Sequence, residues 1–159
     1  MGLQPKQTKE YVNDAINDWA NLGVGGHQQG KSPWFDYHKY LTKPISNIIG
    51  SKESEVVIMN SLTTNLHLLM ISFFNPNKEK YNIIIDSPAF PSDKYAVQSH
   101  LKLHDLDSNK NLIEINTFKN NRCLSDVEIL NEIEKNIKNA ALILLSGINY
   151  YTGQFYDVK

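Results

Sequence analysis

The sequence lacks most of the features that assign a chain to a functional class at first sight. Its 159 residues include one cysteine, Cys123, so no disulfide can form within the chain and a reducing compartment is expected. The formal net charge is -1 and the lysines are scattered, which argues against a nucleic-acid partner. The start has no signal-peptide core, and the apolar run LHLLMISFF is too short to span a bilayer. These absences predict a cytoplasmic protein with no nucleic-acid and no membrane partner.

Signatures of two kinds of catalytic site are missing as well. No Gly-x-Ser-x-Gly elbow is present, which leaves a hydrolase triad with little support. The five histidines show no metal-ligand spacing and the single cysteine is isolated, so we predict no metal site. An apolar fraction of 41% is nevertheless typical of a globular domain with a sizeable core.

Residues 1–50 are predicted to form an N-terminal helical segment with a Gly-rich loop. Apolar residues at helical spacing lie between Pro5 and Gly23, which suit the start and the end of a helix. The following stretch, GVGGHQQGKSPW, contains four glycines and predicts an irregular loop. A second helical segment is expected to bend or restart at Pro44 and to end at Gly50.

Residues 51–159 alternate between strand-like and helix-like segments. The predicted strands are EVVIMN, YNIIID, LKLHDLD, LIEI (within a surface excursion) and AALILLSGI. NLHLLMISFF predicts a buried helix, and Pro91 opens another. Ser125 and Glu128 form a capping box at the start of a last helix. We expect this helix to point four apolar residues inward: Val127, Leu130, Ile133 and Ile137.

The continuous apolar strands predict an α/β fold class, with a mostly parallel sheet whose two faces are covered by helices. Only about three strands are clear, below the roughly five of a typical sheet. The segment AALILLSGI is apolar on both faces and therefore needs neighbours on both sides. We therefore expect residues 51–159 to be part of a larger domain, and the polypeptide to be incomplete.

Ligands of such sheets bind beyond the carboxyl ends of the strands, where three polar segments are expected. Ser61, Thr63 and Thr64 start the first helix after EVVIMN, where free N–H groups favour an anion. Ordinary helix caps would use the same residues. This stretch has neither a P-loop nor a dinucleotide-binding fingerprint.

The second and third segments follow the two most apolar strands. Phe90 could stack on a planar ligand, with Ser92 and Asp93 contacting its polar edges. Alternatively, Phe90 packs in the core and Asp93 complements a helix dipole. Ser146 follows the last strand and is either a ligand contact or a turn residue. His27 lies in the Gly-rich loop, where a histidine is usually solvated.

Five blocks of the sequence, in this order, resemble kynureninases: GLQPK, GHQQGKSPW, MNSLTTNLHLLMISFFNP, AFPSDKYAVQS and LLSGINYYTGQ. The resemblance covers essentially the whole chain and is loosest around residues 109–122. It implies a homodimeric enzyme of the aspartate-aminotransferase fold type (fold type I) that binds pyridoxal 5'-phosphate in its large domain. It also implies hydrolysis of L-kynurenine or 3-hydroxykynurenine to anthranilate or 3-hydroxyanthranilate plus L-alanine, within tryptophan catabolism and NAD biosynthesis.

The resemblance also implies roles for individual residues. The positions that match cofactor-binding residues of the family are Leu62, Thr63, Phe90, Pro91, Ser92, Asp93 and Ser146. His27 matches a substrate-binding histidine.

The family's Schiff-base lysine, in a Ser-Tyr-Lys motif, lies downstream of the last matching block. No lysine of this chain stands in that motif. We therefore expect an N-terminal fragment of a kynureninase, inactive by itself. The alternatives are a non-catalytic α/β module that binds a phosphate-bearing ligand, and a truncated product without function.

Overall fold

The computed structural model describes residues 2–157, and the structural statements below are confined to them. The chain divides into two compact units, Met1–Met59 and Asn60–Lys159.

The first unit is helical. Its elements are α1 (Thr8–Leu22), α2 (Lys39–Ile49) and three short 3-10 turns at Gly23–His27, Trp34–Asp36 and Glu53–Glu55. Gly50 ends α2 in the left-handed region (φ 71°), where glycine is favoured, and its N–H donates to the carbonyl of Ser46. The helix runs through Pro44 without a restart. The Gly-rich stretch, predicted to be irregular, begins with the 3-10 turn Gly23–His27 and has no helix or strand from Gln28 to Pro33.

The second unit has an α/β architecture, as predicted. Its elements are α3 (Leu62–Phe73), β1 (Asn82–Ser87), α4 (Pro91–Leu103), α5 (Ser108–Asn111), β2 (Leu112–Asn116), β3 (Phe118–Lys119), β4 (Arg122–Cys123), α6 (Asp126–Asn136) and β5 (Ala140–Leu144). The strands β2, β1 and β5 form a parallel sheet in that order, with Ile84 of β1 opposite Ile113 and Ile143. The short strands β3 and β4 form an antiparallel pair.

Alternate residues of the central strand β1 point into two different cores. Ile83 and Ile85 pack with apolar residues of α3 and α4, whereas Ile84 packs with residues of β2 and α6. All three isoleucines are almost completely buried. This burial on both faces confirms the covered parallel strand that the continuous apolar run predicted.

Two predicted strands are absent from the described residues. Residues 56–59 form no regular structure, and no neighbouring strand pairs with them. The segment LKLHDLD instead ends α4 and turns at Asp105, whose φ of 56° breaks any extended run. In both places local apolar content indicated a strand, but strands require partners that these segments do not have.

The strand predicted at LIEI is confirmed, since this segment forms most of β2. It does not lie in a surface excursion, because it pairs with Ile83–Ser87 of β1. The strand β5 occupies the other edge of the sheet, with β1 as its one neighbour among the described residues.

Two helices expose residues that were predicted to be buried. In α3 the buried residue is Met70, while Leu69, Ile71 and Phe73 are more than half exposed. In α6 the capping box forms and Ile133 is buried, both as predicted. Ile129 is buried as well, whereas Val127, Leu130 and Ile137, which directly follows the helix, are exposed. Helical periodicity defines an apolar stripe in both cases, but the neighbouring elements decide which part of it is covered.

Candidate functional site

The carboxyl ends of β1 and β5 and the N-terminus of α3 surround a cavity of about 890 Å³. Small-molecule sites commonly have volumes of roughly 300–1,000 Å³. Ligands of parallel sheets bind beyond the carboxyl ends of the strands, so the cavity lies where this fold favours a site. Most of its wall is apolar. The polar residues of the wall are Thr63, Asn65, Asp86, Ser92, Asp93, Lys94, Ser146 and Asn149.

The N-terminus of α3 presents backbone N–H groups to the cavity. Ser61 caps this helix, since its Oγ accepts a hydrogen bond from the N–H of Thr64 at 3.4 Å and its carbonyl accepts one from Asn65. The first N–H groups of a helix have no partner within it, and the described residues offer no acceptor to those of Leu62 and Thr63. Both residues line the cavity. Together with the helix dipole, these groups favour a phosphate or carboxylate.

Phe90 forms an aromatic part of the wall. It caps α4 in an extended conformation, directly before Pro91 at the first helical position, and its side chain is 51% exposed. Its ring meets Tyr150 at 84° with 5.1 Å between the centroids. Phe90 is therefore a cavity residue rather than a core residue, and its ring is available for a planar ligand.

A buried carboxylate lies at the end of the central strand. Asp86 is 4% exposed and accepts hydrogen bonds from the Oγ of Ser146 at 2.7 Å, from the backbone N–H of Ser146 at 3.4 Å and from the Nδ2 of Asn149 at 3.0 Å. The hydroxyl of Tyr156 lies 3.3 Å from the same carboxylate and 3.0 Å from the Oγ1 of Thr117. Burial raises the pKa of Tyr156, so its hydroxyl stays protonated as a donor.

Asn149 connects the two strand ends. Its Nδ2 donates to both Asp86 and the carbonyl of Pro88, at 3.0 Å each. Its Oδ1 accepts from the backbone N–H groups of Tyr151 and Thr152. The loop that carries Phe90 and the turn after β5 are therefore fastened to one side chain.

The amine at the cavity wall is already paired. Lys94 Nζ lies 2.7 Å from Glu114 Oε1, on the neighbouring strand β2. Near it, the Oγ of Ser92 donates to the Oδ1 of Asp93 at 3.2 Å. The site thus combines an anion-binding helix end, an aromatic ring and several polar side chains, which suits a planar ligand that carries a phosphate.

The cavity brings together most of the residues that the sequence suggested for the cofactor. Those that line it are Leu62, Thr63, Phe90, Ser92, Asp93 and Ser146. Pro91 does not line it but begins α4. His27 belongs to the first unit, where its ring lies 5.1 Å from those of Trp34 and Phe35. The role of each residue toward a ligand stays a prediction.

Asp86 and Asn149 were not predicted. The sequence did contain a signal for Asp86, namely a carboxylate near the end of an otherwise apolar strand. A charged residue in a buried strand is energetically costly, which indicates a paired or functional group. For Asn149 the sequence gave no signal, since asparagine is common in turns.

One further pattern in the sequence has no support in the structure. Residues 25–32 read Gly-x-x-x-x-Gly-Lys-Ser, which is the spelling of a P-loop. A P-loop joins a strand to a helix, whereas this segment follows α1 and leads into a three-residue 3-10 turn. Lys31 pairs with Asp14 at 3.1 Å, so a nucleotide site is not indicated. Across residues 2–157 no cluster of three or more metal-ligating side chains occurs, and no helix is long and apolar enough to cross a membrane.

Comparison with known proteins relates the chain to one family. It is similar to kynureninases of Koribacter versatilis (47% identical over 158 residues, 99% of this chain), Flavobacterium psychrophilum (45% over 159 residues, 100%) and Homo sapiens (40% over 158 residues, 99%). The chain spans about a third of the length of these relatives, 34–37%. No family model matches it. Its whole length aligns at this level of identity with members of one enzyme family, so the chain belongs to the kynureninase family and corresponds to a fragment of such a protein.

Proposed function

We propose that this chain contributes one wall of a pyridoxal 5'-phosphate site to a kynureninase that hydrolyses L-kynurenine or 3-hydroxykynurenine to an anthranilate and L-alanine. The observation that carries the proposal is the cavity: six of the seven residues that match cofactor positions of the family line it. They come from three segments far apart in the sequence, so a chance grouping is a poor explanation.

The residues of the wall fit this cofactor chemically. The free N–H groups at the start of α3 and the hydroxyl of Thr63 would hold the phosphate. Phe90 would pack against the ring, and Asp93 and Ser146 would contact polar atoms. When bound, pyridoxal phosphate supplies an electron sink that stabilises negative charge on the substrate. Exclusion of water by the apolar part of the wall would strengthen these polar contacts.

The proposal includes the inactivity of this chain alone. Lys94 lines the cavity, but it is held by Glu114 and does not stand in the Ser-Tyr-Lys motif of the family. Without a lysine to hold the cofactor covalently, we expect no turnover of kynurenine by the isolated segment. Turnover above the buffer rate by a pure preparation would contradict this part of the proposal. If the longer protein also binds pyridoxal phosphate but does not turn over kynurenine, the result would favour the non-catalytic binding module.

The experiment is a titration of the purified protein with pyridoxal phosphate, followed by absorbance. Thr63→Ala removes a hydroxyl that would donate a hydrogen bond to the charged phosphate. A hydrogen bond to a charged group contributes about 1.5–3 kcal/mol, so we expect Kd to rise by roughly 10- to 150-fold. Phe90→Ala removes an aromatic contact worth about 0.5–1.5 kcal/mol beyond area burial, or roughly tenfold at most. Phe73→Ala is the matched control, because Phe73 is exposed and does not line the cavity. Unchanged affinity in both variants would mean that Thr63 and Phe90 do not contact the cofactor.

Further parts of the proposal follow from the family. His27 would contact the substrate, and the longer protein would be a cytoplasmic homodimer without nucleic-acid or membrane partners. A raised KM with unchanged cofactor affinity in His27→Ala is the expected kinetic result. Light scattering of the longer protein tests the dimer.

A further inference from the structure

Asp86 and Ser146 form a short polar contact in the wall of the cavity. The Oγ of Ser146 lies 2.7 Å from the Oδ2 of Asp86, whose side chain is 4% exposed. Both residues line the cavity, and they follow or end two neighbouring strands of the sheet. The contact therefore connects a buried charge to a hydroxyl that a ligand can reach.

The direction of this hydrogen bond is fixed by chemistry. An ionised carboxylate can only accept hydrogen bonds, whereas a serine hydroxyl has one proton and two lone pairs. Ser146 must therefore donate its single proton to Asp86. The backbone N–H of Ser146 and the Nδ2 of Asn149 also donate to this carboxylate, and the protonated hydroxyl of Tyr156 lies beside it. These donors hold the carboxylate in one orientation.

The consequence concerns the face of Ser146 that a ligand meets. With its proton committed to Asp86, the hydroxyl offers lone pairs alone to the cavity. It can accept a hydrogen bond from an N–H or O–H group of a ligand, but it cannot donate to a phosphate or phenolate oxygen. These two parts of the cavity wall are thus opposite in character, because the N-terminus of α3 offers donors.

We propose that Asp86 is a positioning residue that fixes Ser146 as a hydrogen-bond acceptor, so that the site selects a ligand group that donates. The inference rests on the proposed cofactor, and it adds that a protonated group of the cofactor faces Ser146 while the phosphate lies at α3. Asp86 acts through Ser146 and does not need to touch the ligand.

The test is a double-mutant cycle in the longer protein, with pyridoxal 5'-phosphate as the probe. Ser146→Ala removes the acceptor and is expected to raise Kd by about 3- to 10-fold, the range of a single hydrogen bond. Asp86→Asn is expected to raise Kd by a similar factor. The amide that this variant introduces at position 86 can donate a hydrogen bond to the Oγ of Ser146. The hydroxyl proton of Ser146 then points into the cavity, where it faces the donor group of the ligand. The double variant should bind no more weakly than the weaker single variant, because both changes remove the same contact.

Two controls separate positioning from a general structural effect. Ser146→Thr keeps a hydroxyl and should bind within about twofold of the parent. Glu134→Gln removes a similar charge from an exposed position of α6 and should leave Kd unchanged. Thermal unfolding reports whether each variant is folded. If Asp86→Asn does not fold, Asp86→Glu, which keeps an acceptor carboxylate but displaces it by one methylene, takes its place in the same cycle.

The outcomes distinguish the inference from the proposed function. If the parent does not bind pyridoxal phosphate, the proposed function fails and this inference fails with it. If the parent binds and the losses from Asp86 and Ser146 add in the double variant, Asp86 acts independently of Ser146, and this inference alone is overturned. Parent-like affinity of Ser146→Ala would overturn it in the same way.

Discussion

Replacing Asn149 with alanine tests whether the two strand ends are held together by a single side chain. Asn149 is 1% exposed, and its amide donates to Asp86 and to the carbonyl of Pro88 while its Oδ1 accepts from Tyr151 and Thr152. A hydrogen bond to a charged group contributes about 1.5–3 kcal/mol and a neutral one about 0.5–1.5 kcal/mol. The N–H groups of Tyr151 and Thr152 lie near the surface, so hydrogen bonds to water offset part of the cost of losing Asn149 Oδ1. We expect Asn149→Ala to lower the free energy of unfolding by about 3–4 kcal/mol.

That loss is a large part of the roughly 5–15 kcal/mol by which a domain is stable. Urea denaturation of the purified protein, followed by circular dichroism, measures it. Asn131→Ala is the matched control, because Asn131 is exposed in α6 and alanine is the better helix former there; no loss is expected. A loss below about 1 kcal/mol for Asn149→Ala would refute the reasoning, since it would mean that water satisfies all of these groups.

Three further predictions concern pH and self-association. Hydrogen bonds from Arg122 and then Ser125 lower the pKa of Glu128 to about 2, so its stabilising contribution is complete above its unfolded value of 4.5 and should disappear as the pH falls toward 2. Thermal midpoints of the parent and Glu128→Gln should converge over that range, and a constant difference would contradict it. Burial, with the charges of His67 and His104, lowers the pKa of His100 below 6.5, so stability should fall as the pH drops below about 6.5. His100→Gln should flatten this pH profile, whereas a slope as steep as that of the parent would refute it. The exposed apolar residues of α3 and the edge strand β5 should make the isolated chain self-associate; light scattering that shows a monomer at high concentration would refute this.

The features that the sequence predicted correctly depend on local backbone chemistry. Pro91 begins α4 because its ring fixes φ and its missing N–H has no role in a first turn. Ser125 and Glu128 satisfy each other's backbone N–H groups at the start of α6. Gly50 ends α2 in a conformation that other residues adopt rarely. Each of these features is decided by a few neighbouring residues, so the pattern alone is sufficient.

The predictions that were wrong depend on distant neighbours. Leu130 and Ile129 are adjacent apolar residues of α6, and the sheet covers Ile129 alone. LIEI forms a strand as predicted, but its place in the sheet was missed, because its pairing with β1 depends on residues about thirty positions away, such as Ile83 opposite Leu112. Segment 56–59 has strand-forming residues and no partner among the described residues. Sequence periodicity shows that a surface is apolar; tertiary packing determines what covers it.

Asp86 shows how a site residue can escape sequence reasoning and still be interpretable in the structure. Burying a carboxylate costs several kcal/mol, and paired donors offset that cost without a guaranteed gain in stability. An apolar residue at the end of β1 would fill the same space without this cost, so stability alone does not explain Asp86. The carboxylate instead orients its neighbours. It accepts hydrogen bonds from Ser146 and Asn149, which fixes the hydroxyl of Ser146 and the amide that also binds the carbonyl of Pro88. A buried charge at the ligand-binding edge of a parallel sheet is thus better explained by the orientation of its neighbours than by the stability of the core.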